Sequence, residues 1–314
     1  MIEKITIAGA GTMGHSMALI FARYGYQVTL WNHRAPKLTA AKAAIAETNP
    51  EIAEKICYAA SDDAFRDCDL VVESVSEDME IKKGFYQYLT TVISPEAIIA
   101  TNTSGLSINT LSGFVDHPDR FLGMHWFNPP TLVPLIEIIR ADVTRQDVVD
   151  TIYDLALAID KKPAIVNQDV YGFAANRLQM AVLREACALV KRGVISAEGI
   201  DAVMKYALGF RWACLGPLET IDLGGIDIFQ HLAEYLVPDL EDSHEVPALI
   251  QEHYDRGEYG LKTGRGIYDY SDGKGQEAVR CRDQKMIAIY NARYGNEKEA
   301  GPAQYCAGAG FPPV

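Results

Sequence analysis

A histidine that ends one apolar run and a glutamate that interrupts the next have the types and spacing for acid/base chemistry. His125 directly follows Phe121–Met124, and Glu137 lies inside Leu135–Ile139. A buried carboxylate is costly unless it is paired, and a histidine on a neighbouring strand supplies that pairing. The pair leaves one imidazole nitrogen free to take a hydroxyl proton near neutral pH. Two alternatives stay open: His125 as a hydrogen-bonded core residue, and Glu137 as a solvent-facing residue of an edge strand.

A glycine-rich turn near the N-terminus has the spacing that binds a pyrophosphate. Residues 9–14 read Gly-Ala-Gly-Thr-Met-Gly, directly after the apolar run Ile5–Ala8. In such a turn Gly9 permits a tight bend, Gly11 lets the backbone approach the phosphates, and Gly14 lets the following helix pack close to the strand. The helix N-terminus adds amide donors and a positive dipole end. The pattern predicts dinucleotide binding, with a ligand-free glycine turn as the alternative.

The residue that usually separates NAD from NADP enzymes is absent. In NAD enzymes the second strand ends in an acidic residue that binds the adenosine ribose, whereas here Asn32, His33 and Arg34 follow Gln27–Trp31. Asn32 can bond a ribose hydroxyl, which is compatible with NAD. The Arg34 guanidinium suits a 2′-phosphate, so NADP stays open, as does a solvated role for Arg34.

The first half of the chain alternates apolar runs of strand length with helical patterns. The runs are Ile5–Ala8, Gln27–Trp31, Ile56–Ala59, Asp69–Val72, Ile98–Thr101, Phe121–Trp126, Leu135–Ile139 and Ala164–Asn167. This rhythm predicts an α/β fold with a Rossmann-like doubly wound, mostly parallel sheet that is covered on both faces. Such sheets bind ligands at the carboxyl ends of their strands, which is where His125 is expected.

After Asn167–Asp169 the remaining chain reads as all-α. Helical patterns cover residues 172–191, 197–207, 226–236 and 247–256. We therefore predict a dinucleotide-binding domain at residues 1–169, followed by a helical domain at residues 170–314 for substrate binding and dimerisation. The helix over 173–190 is apolar on most of its circumference, which predicts that it is buried and favours a homodimer.

The net charge and the cysteine content limit which partners this protein is expected to bind. The formal net charge of -13 disfavours nucleic acid and anionic membranes. The cysteines show no Cys-x-x-Cys pair and no zinc-like histidine spacing, which predicts buried free thiols, no metal and a reducing compartment. They are Cys57, Cys68, Cys187, Cys214, Cys281 and Cys306. Because strand-like residues follow Met1 at once and no run is long enough to span a bilayer, we expect a cytoplasmic protein.

Five motifs in chain order resemble the L-3-hydroxyacyl-CoA dehydrogenase family, and the resemblance covers nearly the whole chain. They are Asn102-Thr103-Ser104, His125-Trp126-Phe127-Asn128-Pro129, Glu137, Gly172-Phe173-Ala174-Ala175-Asn176-Arg177, and residues 260–268. The resemblance implies an oxidoreductase that interconverts an L-3-hydroxy and a 3-oxo group by hydride transfer with NAD(P). It implies that His125 is the general base in oxidation and the acid in reduction, oriented by Glu137. Ser104 and Asn176 would hydrogen-bond the reacting oxygen.

A further stretch, Val72–Glu77, resembles the family's Val-Glu-Ala-x-x-Glu. The resemblance implies that Glu77 lies near the nicotinamide ribose, that Lys82 is within reach of the cofactor, and that Asn128 lines the nicotinamide end. A helix-start role for Glu77 and a surface role for Lys82 are the alternatives. The complete predicted cofactor set is Gly9, Gly11, Thr12, Met13, Gly14, Asn32, Arg34, Glu77, Lys82, Asn102 and Asn128.

The segment between the second and third strands bears on the substrate. In CoA-specific members of the resembled family, a long helical hairpin there helps to hold CoA, whereas residues 32–56 leave room for one helix at Ala35–Glu47 and a turn. Gly105, where many members carry a second serine, and the double proline after Asn128 resemble branches that act on small free hydroxy acids or other carbonyl compounds. We expect a small-molecule substrate, either an acyl-CoA or a free hydroxy acid.

Two other functions remain open. A dinucleotide-binding protein without catalysis would act as a redox sensor, but the joint presence of Ser104, His125, Glu137 and Asn176 argues against it. The 3-hydroxyisobutyrate and 6-phosphogluconate dehydrogenase group can also end its second strand in Asn followed by Arg. Those enzymes use a lysine on the domain-linking helix, where this chain offers Asn176 and no lysine before Lys191.

Overall fold

Eight strands form one sheet, in the spatial order β3-β2-β1-β4-β5-β6-β7-β8, in the computed structural model, which describes residues 2–294. Their bounds are β1 Lys4–Ala8, β2 Gln27–Trp31, β3 Cys57–Ala59, β4 Leu70–Glu73, β5 Ile98–Thr101, β6 Phe121–Trp126, β7 Leu135–Arg140 and β8 Lys162–Val166. Strands β1 to β6 run parallel, β7 is antiparallel to β6, and β8 is parallel to β7. The predicted α/β, doubly wound and mostly parallel sheet is confirmed.

Helices cover both faces of this sheet. They are α1 Thr12–Arg23, α2 Ala35–Thr48, α3 Pro50–Ala53, α4 Met79–Leu89, α5 Ile108–Ser112 and α6 Gln146–Ala158. Successive strand residues point to opposite faces, so Leu70 and Val72 pack in the core under α1 and α6, while Val71 packs in the core under α4 and α5. Burial on both sides explains why the strands read as continuous apolar runs.

The chain divides into two compact units, one through Arg177 and one from Leu178. The division falls in the first turn of α7, Ala175–Lys191. The predicted helix start at Gly172 is wrong, because Gly172 and Phe173 have φ angles of 73° and 53°, in the left-handed region that a right-handed helix excludes. The predicted burial of this helix is also wrong for the single chain, since the side chains of Leu178 and Met180 are 63% and 58% exposed.

Among the described residues, the second unit consists of helices and turns. Its helices are α8 Ala197–Val203, α9 Gly209–Trp212, α10 Pro217–Gly224, α11 Ile226–Leu236, α12 Ala248–Asp255 and α13 Lys274–Tyr294. A π-helical turn at Met204–Leu208 joins α8 to α9, so the single α-helix predicted to residue 207 ends earlier, at Val203. The all-α character predicted for this part of the chain is confirmed.

The cysteines within the described residues are free, but they are not all buried. Cys68 and Cys187 are buried, whereas Cys57 and Cys214 are exposed, so the prediction of buried thiols is wrong for these two. Cys306 lies outside the described residues. Over residues 2–294, no helix is both long and apolar enough to cross a membrane, and no cluster of His, Cys, Asp or Glu side chains is arranged to hold a metal ion.

Candidate active site

His125 and Glu137 face each other across the β6–β7 pair. The two residues are register partners, and Nδ1 of His125 lies 2.9 Å from Oε2 of Glu137. Both side chains are buried. Because β7 lies between β6 and β8, Glu137 is on an interior strand, and the alternative of a solvent-facing edge residue is wrong. The antiparallel pairing of β6 and β7 therefore places Glu137 beside His125. This contact was predicted because a carboxylate within an apolar run needs a buried partner.

The second carboxylate oxygen of Glu137 binds backbone beyond the sheet. Its Oε1 accepts the N–H groups of Ala174, at 3.1 Å, and Ala175, at 2.8 Å. Burial alone raises the pKa of Glu137, but the hydrogen bonds from His125 and from these amides outweigh it and hold the pKa below its ordinary value. An ionised carboxylate only accepts, so the neutral His125 ring carries its proton on Nδ1 and leaves Nε2 as an acceptor.

Two aromatic rings hold the imidazole of His125. The ring centroid of Phe127 lies 4.4 Å from it, and that of Phe173 lies 5.5 Å away in an edge-on arrangement. Phe173 is fully buried although its backbone is left-handed, a conformation that is uncommon for a residue with a side chain. Both phenylalanines belong to the motifs described above, but no role was predicted for either. A left-handed backbone at a bulky residue leaves no signal in the sequence pattern.

Ser104 and Asn176 are brought together directly. The side-chain Nδ2 of Asn176 donates to the backbone oxygen of Ser104 at 2.9 Å. Asn176 follows Ala175, whose N–H binds Glu137, so the same short stretch contacts both the histidine's partner and the loop after β5. Ser104 is exposed, which leaves its hydroxyl accessible to a substrate.

The glycine turn after β1 has the shape of a phosphate cradle. A Cβ at Gly9 would lie 2.3 Å from the backbone oxygen of Ser74, and one at Gly14 would lie 1.8 Å from the oxygen of Gly9. A Cβ at Gly11 would meet nothing within 4 Å, so its backbone borders open space at the start of α1. Thr12 is exposed and Met13 half-buried there, and the first turn of α1 carries no acidic residue. These features fit a dinucleotide pyrophosphate.

At the end of β2, Asn32 and Arg34 form a small turn. Oδ1 of Asn32 accepts the backbone N–H of Arg34 at 2.9 Å, and Nε of Arg34 donates to Nε2 of His33 at 3.1 Å. The side chain of Arg34 is exposed. Since the Asn32 oxygen is engaged within the turn, a ribose contact by this residue would use its Nδ2.

The side chain of Lys82 is not on the surface. It is 1% exposed, and its ammonium lies 2.6 Å from Oε1 of Glu73 and 3.4 Å from Oε2 of Glu77. The surface alternative for Lys82 is therefore wrong, while its contact with the cofactor stays a prediction. Glu73 was not among the predicted site residues. The available signal was a carboxylate that ends the apolar run Leu70–Val72, which must be paired for the reason applied to Glu137.

The two remaining predicted cofactor residues lie at the same carboxyl edge of the sheet. Asn102 follows β5, and its Oδ1 accepts the backbone N–H of Trp126 at 2.9 Å, while its Nδ2 donates to Oγ of Ser74 at 3.3 Å. Asn102 thereby links the ends of three parallel strands. Asn128 is exposed, two residues beyond β6.

Comparison with protein families gives two matches that together span most of the chain. Residues 4–170 match the 3-hydroxyacyl-CoA dehydrogenase NAD binding domain, and residues 172–270 match the 3-hydroxyacyl-CoA dehydrogenase C-terminal domain. The first match contains the glycine turn and the His125–Glu137 pair, and the second contains Asn176.

Individual relatives include proteins with and without CoA in their names. A 5-formyl-3-hydroxy-2-methylpyridine 4-carboxylate 5-dehydrogenase from Mesorhizobium japonicum is 34% identical over 309 residues, which are 95% of this chain and 100% of the relative. A crystal structure of that kind of enzyme, described as an NAD+ dependent dismutase, has a TM-score of 0.88 at 32% identity, covering 94% of this chain and 99% of its own. The (S)-3-hydroxybutyryl-CoA dehydrogenase from Ralstonia eutropha has a TM-score of 0.73 at 29% identity, covering 87% and 100%.

Proposed function

The chain belongs to the 3-hydroxyacyl-CoA dehydrogenase family and is an NAD-dependent dehydrogenase acting on CH–OH groups, and we propose that His125 is its general acid and base. We further propose that it interconverts the hydroxyl and carbonyl forms of a small substrate without CoA. The observation that carries the role of His125 is its buried pairing with Glu137. That pairing holds the ring in one tautomer, with Nε2 free to exchange a proton.

In the oxidation direction, Nε2 of His125 takes the hydroxyl proton of the substrate. The negative charge of Glu137 stabilises the imidazolium that forms, while the hydrogen on carbon leaves as hydride and the carbonyl is completed. When bound, NAD supplies the hydride acceptor for oxidation and, in its reduced form, the donor for reduction. The Ser104 hydroxyl and the Asn176 amide hold the reacting oxygen against His125. In reduction His125 returns the proton.

For cofactor binding, we assign the pyrophosphate to the turn Gly9–Gly14 and the adenosine ribose to Asn32. The open backbone at Gly11 supports the first assignment, and the position of Asn32 at the carboxyl end of β2 supports the second. We assign Glu77, Asn102 and Asn128 to the nicotinamide end of the cofactor. The Lys82 ammonium lies next to the Glu77 carboxylate. With these assignments, the first unit is the proposed dinucleotide-binding domain.

A substrate without CoA is supported by the segment between β2 and β3. That segment contains the 14-residue α2 and the four-residue α3, without a long helical hairpin. The Mesorhizobium relative, matched over its full length, is named for a small pyridine ring that carries a formyl and a carboxylate group. A hydrated aldehyde presents a CH–OH carbon to the same base, and loss of its proton and hydride yields a carboxylic acid. Both a free 3-hydroxy acid and an aldehyde therefore fit the chemistry of this site.

An L-3-hydroxyacyl-CoA is the second candidate substrate. It is favoured by the family matches and by the likeness to the Ralstonia enzyme, whose name specifies a CoA thioester. The reaction at His125 would be the same, since only the group beyond the reacting carbon differs.

A matched assay separates the two candidates. The chain is given NADH with acetoacetyl-CoA, with acetoacetate, or with the formyl-pyridine carboxylate, and loss of NADH is followed. We expect turnover of at least one of the two substrates without CoA. If the pyridine aldehyde is a substrate, it should also yield its acid with NAD+. Turnover of the thioester alone would overturn the part of the proposal that excludes CoA.

We also propose that the chain forms a homodimer. The supporting observation is the large set of apolar side chains exposed on the helical unit, which include Leu178, Met180, Phe210, Leu218 and Tyr235. Large apolar side chains exposed in such number are typical of an interaction surface. Sedimentation equilibrium of the purified chain checks this, and a monomer at micromolar concentration would contradict it.

A further inference from the structure

Glu73, at the end of β4, is the centre of a buried polar cluster that the mechanism above does not use. The residue is 0% exposed, and its carboxylate accepts four hydrogen bonds. Oε1 accepts from the backbone N–H of Val75 at 2.7 Å and from Lys82 at 2.6 Å. Oε2 accepts from the hydroxyls of Tyr86, at 2.5 Å, and Thr101, at 2.7 Å. Burial and the adjacent Glu73 carboxylate raise the pKa of Tyr86, which keeps its hydroxyl a donor.

Lys82 links this cluster to a second carboxylate that reaches the active-site loop. Its ammonium is closer to Glu73, at 2.6 Å, than to Glu77, at 3.4 Å. A buried ammonium must keep a partner, because water cannot replace one at this depth. Glu73 therefore holds the Lys82 ammonium in place. At that position the ammonium faces the Glu77 carboxylate but does not pull it into the interior.

Glu77 fixes the backbone on which Ser104 sits. Its Oε1 accepts the hydroxyl of Thr103 at 2.5 Å and the N–H of Ser104 at 2.8 Å. The backbone oxygen of Ser104 in turn accepts from Asn176. The backbone of Ser104 is thus held at its N–H by Glu77 and at its carbonyl oxygen by Asn176.

We propose that Glu73 is a positioning residue for the reaction, which acts through Lys82 and Glu77 to fix the loop that presents the Ser104 hydroxyl. This rests on the proposed function, in which Ser104 binds the reacting oxygen. When Glu73 becomes a neutral glutamine, Glu77 is the one carboxylate left beside Lys82 among the described residues. The ammonium, which lies at Oε2 of Glu77, then draws that carboxylate inward and away from Thr103 and Ser104, which bind its Oε1, and the Ser104 loop is released.

A double-mutant cycle tests whether Glu73 acts through Ser104. Glu73→Gln is expected to lower kcat about 10-fold in the wild type and less than about 2-fold in the Ser104→Ala background, because the group being positioned is already absent. Binding of NADH, followed by its fluorescence, should change less than kcat does. Equal losses of kcat in both backgrounds would overturn the proposal and leave Glu73 a structural residue. A wild-type kcat for Ser104→Ala would also overturn it, without touching the role of His125.

Tyr86→Phe is the milder second variant for the case in which Glu73→Gln does not fold. It removes one of the four hydrogen bonds to Glu73 and keeps the ring packing against Phe121. The expected loss of kcat is about 2- to 3-fold, again absent in the Ser104→Ala background. Equal losses of kcat from Tyr86→Phe in the wild type and in the Ser104→Ala background would contradict the proposal.

A measurement that needs no substrate tests the role of Glu73 independently of the proposed function. Amide hydrogen exchange at Ser104 reports the hydrogen bond to Glu77 directly. In Glu73→Gln the Ser104 amide should exchange about 10-fold faster than in the wild type, while an amide in the distant α6 helix keeps its rate. An unchanged Ser104 rate would overturn the link from Glu73 to the loop, whatever the enzyme's substrate proves to be.

Discussion

Nδ1 of His125 lies 2.9 Å from Oε2 of Glu137, in a buried pair whose two members occupy neighbouring antiparallel strands. The other oxygen of the same carboxylate binds the N–H groups that precede Asn176. One side chain thus sets the tautomer of the histidine and anchors the start of α7. In the proposed mechanism the acid/base residue and a group that holds the reacting oxygen are therefore positioned by a single carboxylate.

Glu137→Gln should separate catalysis from cofactor binding. The substitution removes the charge that stabilises the imidazolium, and a loss of kcat of about 10²- to 10⁴-fold is expected, in line with the effect of neutralising the carboxylate of a catalytic triad. The dissociation constant of NADH should stay near its wild-type value. Steady-state kinetics with fluorescence titration checks both, and a kcat within a few-fold of wild type would remove Glu137 from the mechanism.

The glycines of the turn after β1 should respond differently to alanine. Gly11→Ala places a Cβ in open space, so the melting temperature should be unchanged while NADH binding weakens by about 10-fold or more, because the methyl group occupies the approach to the pyrophosphate. Gly14→Ala is the matched control, since its Cβ would lie 1.8 Å from the Gly9 oxygen and should destabilise the fold itself. Calorimetry and titration of each variant decide this. Tight NADH binding by Gly11→Ala would place the pyrophosphate elsewhere.

Arg34→Ala should affect the two dinucleotides unequally. The exposed guanidinium at the end of β2 suits a 2′-phosphate, so NADPH binding should weaken while NADH binding changes little. Asn32, to which we assign the ribose, is unchanged in this variant. Parallel titrations with NADH and NADPH provide the measurement, and an equal effect on both would show that Arg34 plays no part in selecting the cofactor.

Lys161 should give the fold a specific dependence on alkaline pH. Its ammonium is buried, donates to the backbone oxygens of Pro130 and Val133, and lies over the Trp126 ring. Burial lowers its pKa from 10.5 to about 8. Because the unfolded chain binds this proton more tightly, the free energy of unfolding should rise between pH 8 and pH 10.5, by up to roughly 3 kcal/mol.

Lys161→Met serves as the reference, since it keeps the side-chain length and removes the titration. Urea unfolding of both proteins across that pH range gives the difference in stability, which should grow in favour of the wild type as the pH rises. A constant difference would show that Lys161 titrates alike in the folded and unfolded states.

Sequence patterns were sufficient for the sheet and for the central pair. The continuous apolar runs predicted the eight strands, and the need to pair a buried carboxylate placed Glu137 opposite His125 before any register was known. The same reasoning applies to Glu73, but Lys82, Tyr86 and Thr101 come from two other elements. These three side chains reach Glu73 only because of the way α4 packs on β4 and β5. The periodicity of the sequence alone does not specify that packing.

The first residue of α7 could not be predicted from the sequence, for a different reason. The pattern from Gly172 onward is helical in period, yet Gly172 and Phe173 adopt left-handed backbone conformations that delay the helix to Ala175. Glycine permits this conformation at residue 172, but at Phe173 it is held by burial against His125. Tertiary packing therefore overrides local preference where the chain contacts the His125–Glu137 pair.

The most direct test of the central claim is hydride transfer by His125→Ala. Single-turnover loss of the reduced nicotinamide absorbance, at saturating NADH and with the best substrate from the matched assay, isolates the chemical step from binding. We expect unchanged NADH affinity and a hydride-transfer rate lower by about 10³-fold or more, because the carbonyl oxygen has lost its proton donor. A rate close to that of the wild type would contradict the assignment of His125 as the acid and base of this reaction.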